Sequence, residues 1–330
     1  MRTTTALILA FLTLATGVSF AGSLDTRLSL PPTHTFSIVC YDSTTGQIGA
    51  AVQSHYFRAV DVISAEPGVG AVATQSFADY RYATLGIEMM RTGKTAEQAL
   101  AGVLASDQYP NYRQVGMVDI HGGSATHTGG KCLVEGGGRK GPGYAVQASL
   151  MAKNTVWDSM SNAFETTPGD LATRMMAALE AAQGEGGDLR GMQSAAMLVV
   201  TANPVGDPRR DVLVDIRVDD ASQPLQELKR LLNITRAAQK SNAGDALAEA
   251  GKFDEATAAY AEAVALYPEN PEIPFWQAVT LVGHDQVDRA LPMFKQVFQK
   301  EPVWRTVIQR LVGTELLPDK PDVVKKILEQ

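Results

Sequence analysis

A threonine opens the first strand-like segment of this chain, and its chemistry depends on one peptide bond. Thr35 starts the run Thr-Phe-Ser-Ile-Val-Cys-Tyr at 35–41. If the bond between His34 and Thr35 were cut, the threonine hydroxyl could attack an amide or ester carbonyl while the freed α-amine accepted the proton. An α-amine has a pKa of about 7.7–8.0, so a useful fraction is unprotonated near neutral pH. Left uncut, Thr35 is a β-branched residue whose place at a strand start is structurally ordinary.

Polar residues at the ends of other predicted strands could form a pocket around Thr35. The candidates for binding are Ser54, Gln75, Asp188, Arg190 and Gln193. Ser54 and Gln75 follow apolar runs, and their alternative role is to end those strands with hydrogen bonds. Asp188 and Arg190 lie in the loop 186–191, where backbone amides and an Asp–Arg pair can hold a polar ligand. A salt bridge that only fixes the loop is an equally good interpretation.

A second glycine-rich segment, Gly-Gly-Gly-Arg-Lys-Gly-Pro-Gly at 136–143, invites comparison with phosphate-binding loops. It lacks the Gly-Lys-Ser/Thr ending of a P-loop and does not open a helix, so it matches neither a P-loop nor a dinucleotide-binding motif. We predict a mobile surface loop here, which would serve as a lid if it lies near the pocket.

The composition excludes several classes of function. The chain has 330 residues, 29 basic and 36 acidic side chains, a formal net charge of -7 and no long basic run, which argues against sequence-independent nucleic-acid binding. Its five histidines include no His-x-x-x-His pair, and the two cysteines, Cys40 and Cys132, do not suggest a zinc site. We therefore expect no metal and no cofactor. A free, buried Cys40 and a disulfide between the two cysteines both fit the pattern.

The first 21 residues have the features of a secretory signal peptide. Arg2 precedes an apolar run at 6–12, and Ser19 and Ala21 supply the small residues expected before a cleavage site. The apolar run is too short for a bilayer span of about 20 residues. We expect cleavage after Ala21, export to the periplasm or the extracellular space, and a linker at 22–33. No later segment is long enough to span a membrane.

From 34 to 220 the pattern alternates blocks of strands with pairs of helices. Strands are predicted at 35–41, 47–54, 60–65, 70–74, 114–119, 124–128, 144–150, 194–201 and 212–218. Helices are predicted around Leu85, Met89 and Met90, which would share one face, after a Thr95 cap, at 154–164, and at 171–182 after an Asp170 cap. Helix pairs between blocks of antiparallel strands indicate an α+β layered domain. Two sheets between two helical layers would satisfy this pattern, which also permits other α+β folds.

A 34-residue period follows in the region 221–330. Ala256, Tyr260, Ala263 and Pro268 recur as Ala290, Phe294, Val297 and Pro302, and Gly244 corresponds to Ala278. This period, with small residues where helices cross and a closing proline, resembles the tetratricopeptide repeat. Stacked helix pairs present a concave surface, so we expect a protein or peptide partner there. A helical bundle without true repeats is the alternative.

Several short motifs occur in order across the first domain. They are Thr-Phe-Ser-Ile-Val at 35–39, Thr-Gly-Gln-Ile-Gly-Ala-Ala-Val at 45–52, Gly-Val-Gly-Ala-Val-Ala-Thr-Gln at 68–75, Arg-Gln-Val-Gly-Met-Val-Asp at 113–119, Thr-Gly at 128–129 with Cys132, and Gly-Gly-Asp-Leu-Arg-Gly-Met-Gln-Ser-Ala-Ala at 186–196. Together they resemble a bacterial family numbered 1028 among the domains of unknown function. That family is generally grouped by fold with the N-terminal-nucleophile hydrolases. The resemblance implies a four-layer αββα sandwich with Thr35 as the candidate nucleophile.

Two positions depart from the pattern of that family. Relatives often begin Met-Thr-Phe-Ser and could expose the threonine by losing the methionine, whereas here His34 and the segment before it would have to be removed by self-cleavage or by a protease. Relatives often carry Gly-Asn where this chain has Gln-Ala-Ser at 147–149, so an asparagine amide that could contact an oxyanion or a substrate is missing.

Two functional hypotheses follow from these residues. In the first, the chain is an exported amidohydrolase-like or peptidase-like protein that uses Thr35 after cleavage of the His34–Thr35 bond, with the five candidate binding residues shaping its pocket. In the second, it is a catalytically inactive ligand-binding or protein-interaction protein whose helical repeats act as a scaffold. No motif identifies the ligand, which would be a small amide or a peptide, and the repeat edges are compatible with a homodimer.

Overall fold

The structure is a computed structural model that describes residues 33–314, 316–317 and 320–330. The predicted signal peptide at 1–21, and all but the last residue of the predicted linker at 22–33, lie outside the described residues. The described chain forms a mixed α/β domain with two antiparallel sheets, and a helical region follows it.

Ten strands occur in the described part of the chain: β1 (Thr35–Asp42), β2 (Gln47–Ser54), β3 (Ile63–Glu66), β4 (Gly70–Ser76), β5 (Arg113–Asp119), β6 (Ser124–Thr128), β7 (Gly137–Gly141), β8 (Tyr144–Ala148), β9 (Ser194–Thr201) and β10 (Val212–Val218). Six of them form one sheet in the order β10-β9-β2-β1-β8-β7, and four form a second sheet in the order β3-β4-β5-β6. The predicted hairpin of β1 and β2 is confirmed, and it places Thr35 directly opposite Ser54.

Eleven α-helices occur in the same described residues: α1 (Arg81–Arg91), α2 (Ala96–Ser106), α3 (Val156–Thr166), α4 (Leu171–Gly184), α5 (Pro208–Asp211), α6 (Pro224–Glu249), α7 (Phe253–Leu266), α8 (Glu272–Gly283), α9 (Val287–Lys300), α10 (Trp304–Leu311) and α11 (Pro321–Leu328). Both predicted caps are confirmed, since Thr95 forms a capping box with Gln98 and the Asp170 side chain accepts from the Thr173 N–H. None of these helices, within the described residues, is long and apolar enough to cross a membrane.

Three apolar cores hold the first domain together. One lies between the six-stranded sheet and helices α3, α4 and α6, a second lies between the two sheets, and a third lies between the four-stranded sheet and helices α1 and α2. Strand β1 contributes to two of them, because successive side chains of a strand point to opposite faces. Phe36 and Ile38 pack on the helices, whereas Val39 packs between the sheets. Thr35 therefore begins a strand whose two faces are both covered.

Two local predictions about the four-stranded sheet and its helices were wrong in detail. The predicted third strand, 60–65, begins as a 3-10 turn at Ala59–Val62 and becomes extended only in β3. Leu85 and Met90 of helix α1 do not lie on one face, since the Leu85 side chain is 43% exposed while Met90 is buried. Tyr82 lies on the buried side of this helix, and its hydroxyl donates to Asp107 Oδ2 at 2.9 Å.

The prediction of a mobile loop at 136–143 was also wrong, because the segment forms the edge strand β7 on β8. The glycines allow close packing at this edge. A Cβ atom on Gly138 would lie 2.8 Å from both Thr126 Oγ1 and the Val146 carbonyl oxygen. The two basic side chains of the segment, Arg139 and Lys140, are paired with carboxylates of α3 and α2. The segment is thus a packed strand and not a mobile lid.

Both cysteines are free, so the disulfide interpretation does not apply. Cys40 is completely buried among the side chains between the six-stranded sheet and its helices, and burial raises the pKa of its thiol. The Cys132 thiol lies 3.4 Å from the carbonyl oxygen of Arg113, the first residue of β5 in the four-stranded sheet.

The helical region has the paired geometry that its 34-residue period predicts. Helix α7 packs on the second half of α6, and α9 packs on α8. The crossing of the first pair depends on Gly244, since a Cβ there would come within 2.9 Å of the Tyr260 ring. Helix α6 also packs on β9 and β10, so this single helix of 26 residues connects the repeats to the first domain.

Candidate functional site

The residues around Thr35 form a corner where the two sheets meet. Thr35 begins β1 in the six-stranded sheet, whereas Thr33 pairs with Ser76 at the end of β4 in the other sheet. The Thr33 N–H donates to the Ser76 carbonyl oxygen at 2.7 Å, and the Ser76 N–H donates back at 2.9 Å. The chain therefore crosses from one sheet to the other within two residues. We call the residues Thr33, His34, Thr35, Ser54, Ser76, Ser149, Asp188 and Arg190 the inter-sheet corner.

The Thr35 side chain is completely buried in this corner. Its hydroxyl lies 2.9 Å from the Thr33 carbonyl oxygen and 3.0 Å from Ser54 Oγ, and it donates its one proton to either of them. Ser54 Oγ in turn donates to the His34 carbonyl oxygen at 2.8 Å. A chain of hydroxyls thus links the predicted nucleophile to the carbonyl group on the other side of its own peptide bond.

The same carbonyl oxygen also accepts a charged hydrogen bond. Arg190 Nη2 donates to the His34 oxygen at 2.7 Å, and it donates to Asp188 Oδ2 at 2.8 Å. Asp188 is buried, and its other oxygen accepts from Arg190 Nε at 3.0 Å. The two sequence interpretations of this pair are therefore compatible: the salt bridge forms, and it aims the guanidinium at the corner. A hydroxyl and a guanidinium on one carbonyl oxygen are the donors that would stabilise an oxyanion there.

His34 fills the space beside its carbonyl group and is only 2% exposed. Its ring packs edge-on against Phe77 with 6.4 Å between the centroids, and Nδ1 lies 3.5 Å from Ser149 Oγ. Its Nε2 atom has no hydrogen-bond partner among the described residues. Burial and the nearby Arg190 guanidinium lower the pKa of the imidazole to about 4, so the ring is neutral at physiological pH.

Gln75 contacts the corner from the four-stranded sheet. Its Nε2 atom donates to the Thr35 carbonyl oxygen at 2.8 Å and to Gln114 Oε1 at 2.7 Å. Ser37 Oγ donates to Gln75 Oε1 at 2.5 Å and accepts from Gln147 Nε2 at 2.6 Å. These buried amides and the serine bridge the two sheets directly beneath Thr35. Sequence reasoning missed Ser37, Gln114 and Gln147, although their polar side chains on otherwise apolar strands are a usable signal.

Gln193 is the one predicted binding residue whose side chain the structure does not bring to the corner. Its backbone N–H donates to the Ser54 carbonyl oxygen, but its Nε2 donates to Asp220 Oδ1 at 3.2 Å. Ser54, Gln75, Asp188 and Arg190 do meet around Thr35. In the described residues, no group of three or more His, Cys, Asp and Glu side chains could hold a metal ion.

Two residues at this corner have backbone conformations that side chains rarely adopt. Ser76, at the end of β4, has a φ of 66°, and Leu150, next to Ser149, has a φ of 60°. Such conformations cost non-glycine residues roughly 1–2 kcal/mol each. Their presence on both sides of His34 indicates that the surrounding packing holds this corner in a fixed shape.

A concave site lies in the helical region, between α6 and α8. It is an open groove of about 310 Å³ whose walls include Asn242, Asp245, Asn270, Glu272 and Trp276. The Trp276 indole donates to Glu272 Oε1 at 3.0 Å, and Asp245 accepts from the Tyr260 hydroxyl. The groove thus combines an aromatic surface with amide and carboxylate groups.

Family models match two separate parts of the chain. The model of a family described as a family of unknown function, DUF1028, matches residues 35–228, and a tetratricopeptide repeat model matches residues 247–313. The crystal structure of protein SPO2555 from Silicibacter pomeroyi, whose title also names DUF1028, is similar to this chain with 28% identity and a TM-score of 0.55. The match covers 61% of this chain and 88% of that one. No protein with a curated description matches.

Proposed function

The chain belongs to the family of unknown function DUF1028, and from that premise we propose that it is the precursor of an amide hydrolase with Thr35 as its nucleophile. Cleavage of the His34–Thr35 bond would release the threonine as an N-terminal residue. The one observation that carries the proposal is the double hydrogen bond on the His34 carbonyl oxygen, donated by Arg190 and Ser54.

The first step of this chemistry is an attack by the chain on itself. Thr35 Oγ adds to the His34 carbonyl carbon, and the developing negative charge falls on the oxygen held by Arg190 and Ser54. The C–N bond then breaks, and the proton from the threonine hydroxyl passes to the leaving nitrogen, which becomes the α-amine. Water hydrolyses the resulting ester between His34 and Thr35, which releases a carboxylate and restores the hydroxyl.

The same groups would serve a separate amide substrate afterwards. The freed α-amine of Thr35 takes the proton from the threonine hydroxyl as Oγ attacks, and it later returns a proton to the leaving amine. Arg190 and Ser54 remain as donors to the substrate carbonyl oxygen. Asp188 keeps the guanidinium oriented, because both of its carboxylate oxygens accept from Arg190.

We further propose that the first domain is a four-layer αββα sandwich of the N-terminal-nucleophile hydrolase type. The support is the order of its cores, with helices outside each sheet and an apolar core between the sheets. A further support is the position of Thr35, at the start of a strand inside the six-stranded sheet. The match to the family model begins at the same residue.

Export is part of the same proposal and rests on the sequence. The charged and apolar pattern of residues 1–21 predicts secretion, which would place the precursor in the periplasm or outside the cell. Cell fractionation of the full-length chain tests this directly. Recovery of the chain in the cytoplasm with residues 1–21 still attached would contradict it.

The activity is tested with a β-lactone, an electrophile that acylates nucleophilic threonines. We expect the cleaved protein to gain the mass of one lactone, and peptide mapping to place it on Thr35. The variant Thr35→Val should gain nothing, whereas an exposed-serine control, Ser222→Ala, should behave like the wild-type protein. Labelling at another residue, with Thr35 unmodified, would assign the nucleophile elsewhere.

In the second candidate function, the chain binds a partner and has no catalytic activity. The difference in solvent access between Thr35 and the groove favours it. Thr35 is completely buried in the intact chain, whereas the groove between α6 and α8 is open. If the bond is never cut, the helical repeats carry the function by binding a protein or peptide partner. In that case Trp276→Ala should abolish partner binding, while Leu85→Ala, at an exposed apolar side chain of the first domain, should not.

A further inference from the structure

The segment Thr33–His34 lies where the acyl part of a substrate would have to lie. When Thr35 attacks its own chain, His34 supplies the carbonyl group, and every later substrate must present its carbonyl to the same hydroxyl and the same donors. The residue before the substrate's scissile bond therefore replaces His34, and the residue before that replaces Thr33. The contacts of these two residues describe the binding site for an external substrate.

The backbone of Thr33 forms a single antiparallel bridge to the end of β4. Its N–H and C=O groups both pair with Ser76, at 2.7 and 2.9 Å. Ser76, at the end of β4, has a positive φ of 66°. Main-chain pairing of this kind recognises an extended peptide and is insensitive to its side chains.

The side chain of His34 occupies an enclosed pocket with one aromatic wall. Phe77 forms that wall, and it is fixed by edge-on packing on Tyr112 at 5.5 Å and by the Arg113 guanidinium, which donates to its carbonyl oxygen at 2.6 Å. Ser149 Oγ lies 3.5 Å from Nδ1 of the ring. The pocket is therefore rigid, and it fits a planar ring.

The charges around this pocket disfavour an ionised side chain. The Arg190 guanidinium is adjacent and repels a cation, and the imidazole of His34 is neutral there. The Asp188 carboxylate opposes this repulsion but has the weaker influence on the ring, and both of its oxygens are bound to Arg190. A carboxylate in the pocket would lose its hydration while the guanidinium is already paired.

We propose that the cleaved protein hydrolyses peptides at the bond after a neutral, planar residue, with at least one more residue before it that pairs with Ser76. This inference rests on the proposed function and names its substrate class. In each turnover Thr35 Oγ forms an ester with the planar residue as the peptide C–N bond breaks, the leaving amine takes a proton, and water then hydrolyses the ester.

The experiment uses the cleaved protein and four fluorogenic amides, N-acetyl-Thr-X-aminomethylcoumarin with X as His, Phe, Lys or Glu. At pH 7.5 we expect kcat/KM for His and Phe to exceed that for Lys and Glu at least tenfold. N-methylation of the threonine in the His substrate, which removes the N–H that would bond to Ser76, should lower kcat/KM about tenfold. In Ser149→Ala the ratio of His to Phe turnover should fall severalfold.

The outcomes distinguish the proposed substrate class from the proposed role of Thr35 as the nucleophile. Equal turnover of all four amides, a preference for Lys or Glu, or no effect of N-methylation would overturn the substrate class and leave Thr35 as nucleophile. Cleaved protein that binds the β-lactone at Thr35 and hydrolyses none of the four would also overturn the substrate class alone. A chain that never breaks at His34–Thr35 would overturn both.

Discussion

The inter-sheet corner and the groove of the helical repeats are built in opposite ways. The corner draws on segments that are far apart in sequence, and Thr33, His34 and Thr35 are all nearly inaccessible within it. The groove is formed by two helices close in sequence, and its surface is open. The repeats thus present an accessible surface in the intact chain, whereas Thr35 becomes accessible to an external substrate only if the proposed cleavage at His34–Thr35 takes place.

The largest expected effect comes from removing the Thr35 hydroxyl. Thr35→Val keeps the volume and the β-branched shape but has no nucleophile, so we expect no cleavage at the His34–Thr35 bond. Thr35→Ser keeps the hydroxyl and should still cleave. Loss of a buried hydrogen bond costs about 1 kcal/mol, so Val should remain folded by circular dichroism. Cleavage in the valine variant would show that the corner does not cut its own chain through Thr35.

The next effect tests the donors on the His34 carbonyl oxygen. Ser54→Ala removes one of them, and we expect the cleavage rate to fall about 10²-fold, as for the loss of an oxyanion donor in other hydrolases. Ser37→Ala is the matched control, because Ser37 is a buried serine on the facing strand that contacts Gln75 and Gln147 instead. The control should lower the melting temperature and change the cleavage rate less than threefold. Equal rates in both variants would contradict a role for Ser54.

A third effect is the pH dependence of stability that the buried His34 imposes. The pKa of its ring is about 4 in the folded chain and 6.5 in the unfolded chain, so the unfolded state binds a proton first as the pH falls. The contribution of His34 to the free energy of unfolding is therefore fully present above pH 6.5. It is lost between pH 6.5 and 4, by up to about 3 kcal/mol.

Urea unfolding of the uncleaved Thr35→Val chain measures this loss. Adding His34→Phe should flatten the decline between pH 6.5 and 4, whereas adding His55→Gln, at an exposed histidine, should leave it in place. If both double variants keep the same slope, the imidazole of His34 is not held neutral in the corner.

The smallest effect tests whether the two regions are independent. Gly244→Val would push a side chain into the Tyr260 ring and should destabilise the repeats by about 1–3 kcal/mol. Gly283→Ala, where the nearest atom to a new Cβ is 3.9 Å away, should change stability by less than about 0.5 kcal/mol. Neither variant should change the cleavage rate, and a rate that falls with Gly244→Val would show that the corner depends on the repeats.

Features set by nearby residues could be predicted from the sequence. The β1–β2 hairpin, the Thr95 and Asp170 caps and the 34-residue period depend on alternation, capping side chains and helix crossing, all of which are local patterns. The resemblance to the family added Thr35 to these predictions, and this residue begins both β1 and the match to the family model.

Features set by distant packing could not be predicted in this way. The contact of Arg190 with the His34 carbonyl joins residues 156 positions apart, and it depends on the fold bringing the loop before β9 to the start of β1. Gln193 illustrates the same difficulty, because its backbone pairs with Ser54 while its side chain turns to Asp220. The glycines of β7 favour a mobile loop in the sequence alone, because the close neighbours that require them belong to β6, β8 and α3.

The most direct test is the intact mass of the full-length chain after purification and prolonged incubation. We expect a fragment that begins at Thr35 in the wild-type protein and in Thr35→Ser, with none in Thr35→Val. A wild-type chain that stays continuous through His34 and Thr35, in the same yield as the valine variant, would contradict Thr35 as a nucleophile and leave the open groove as the functional site.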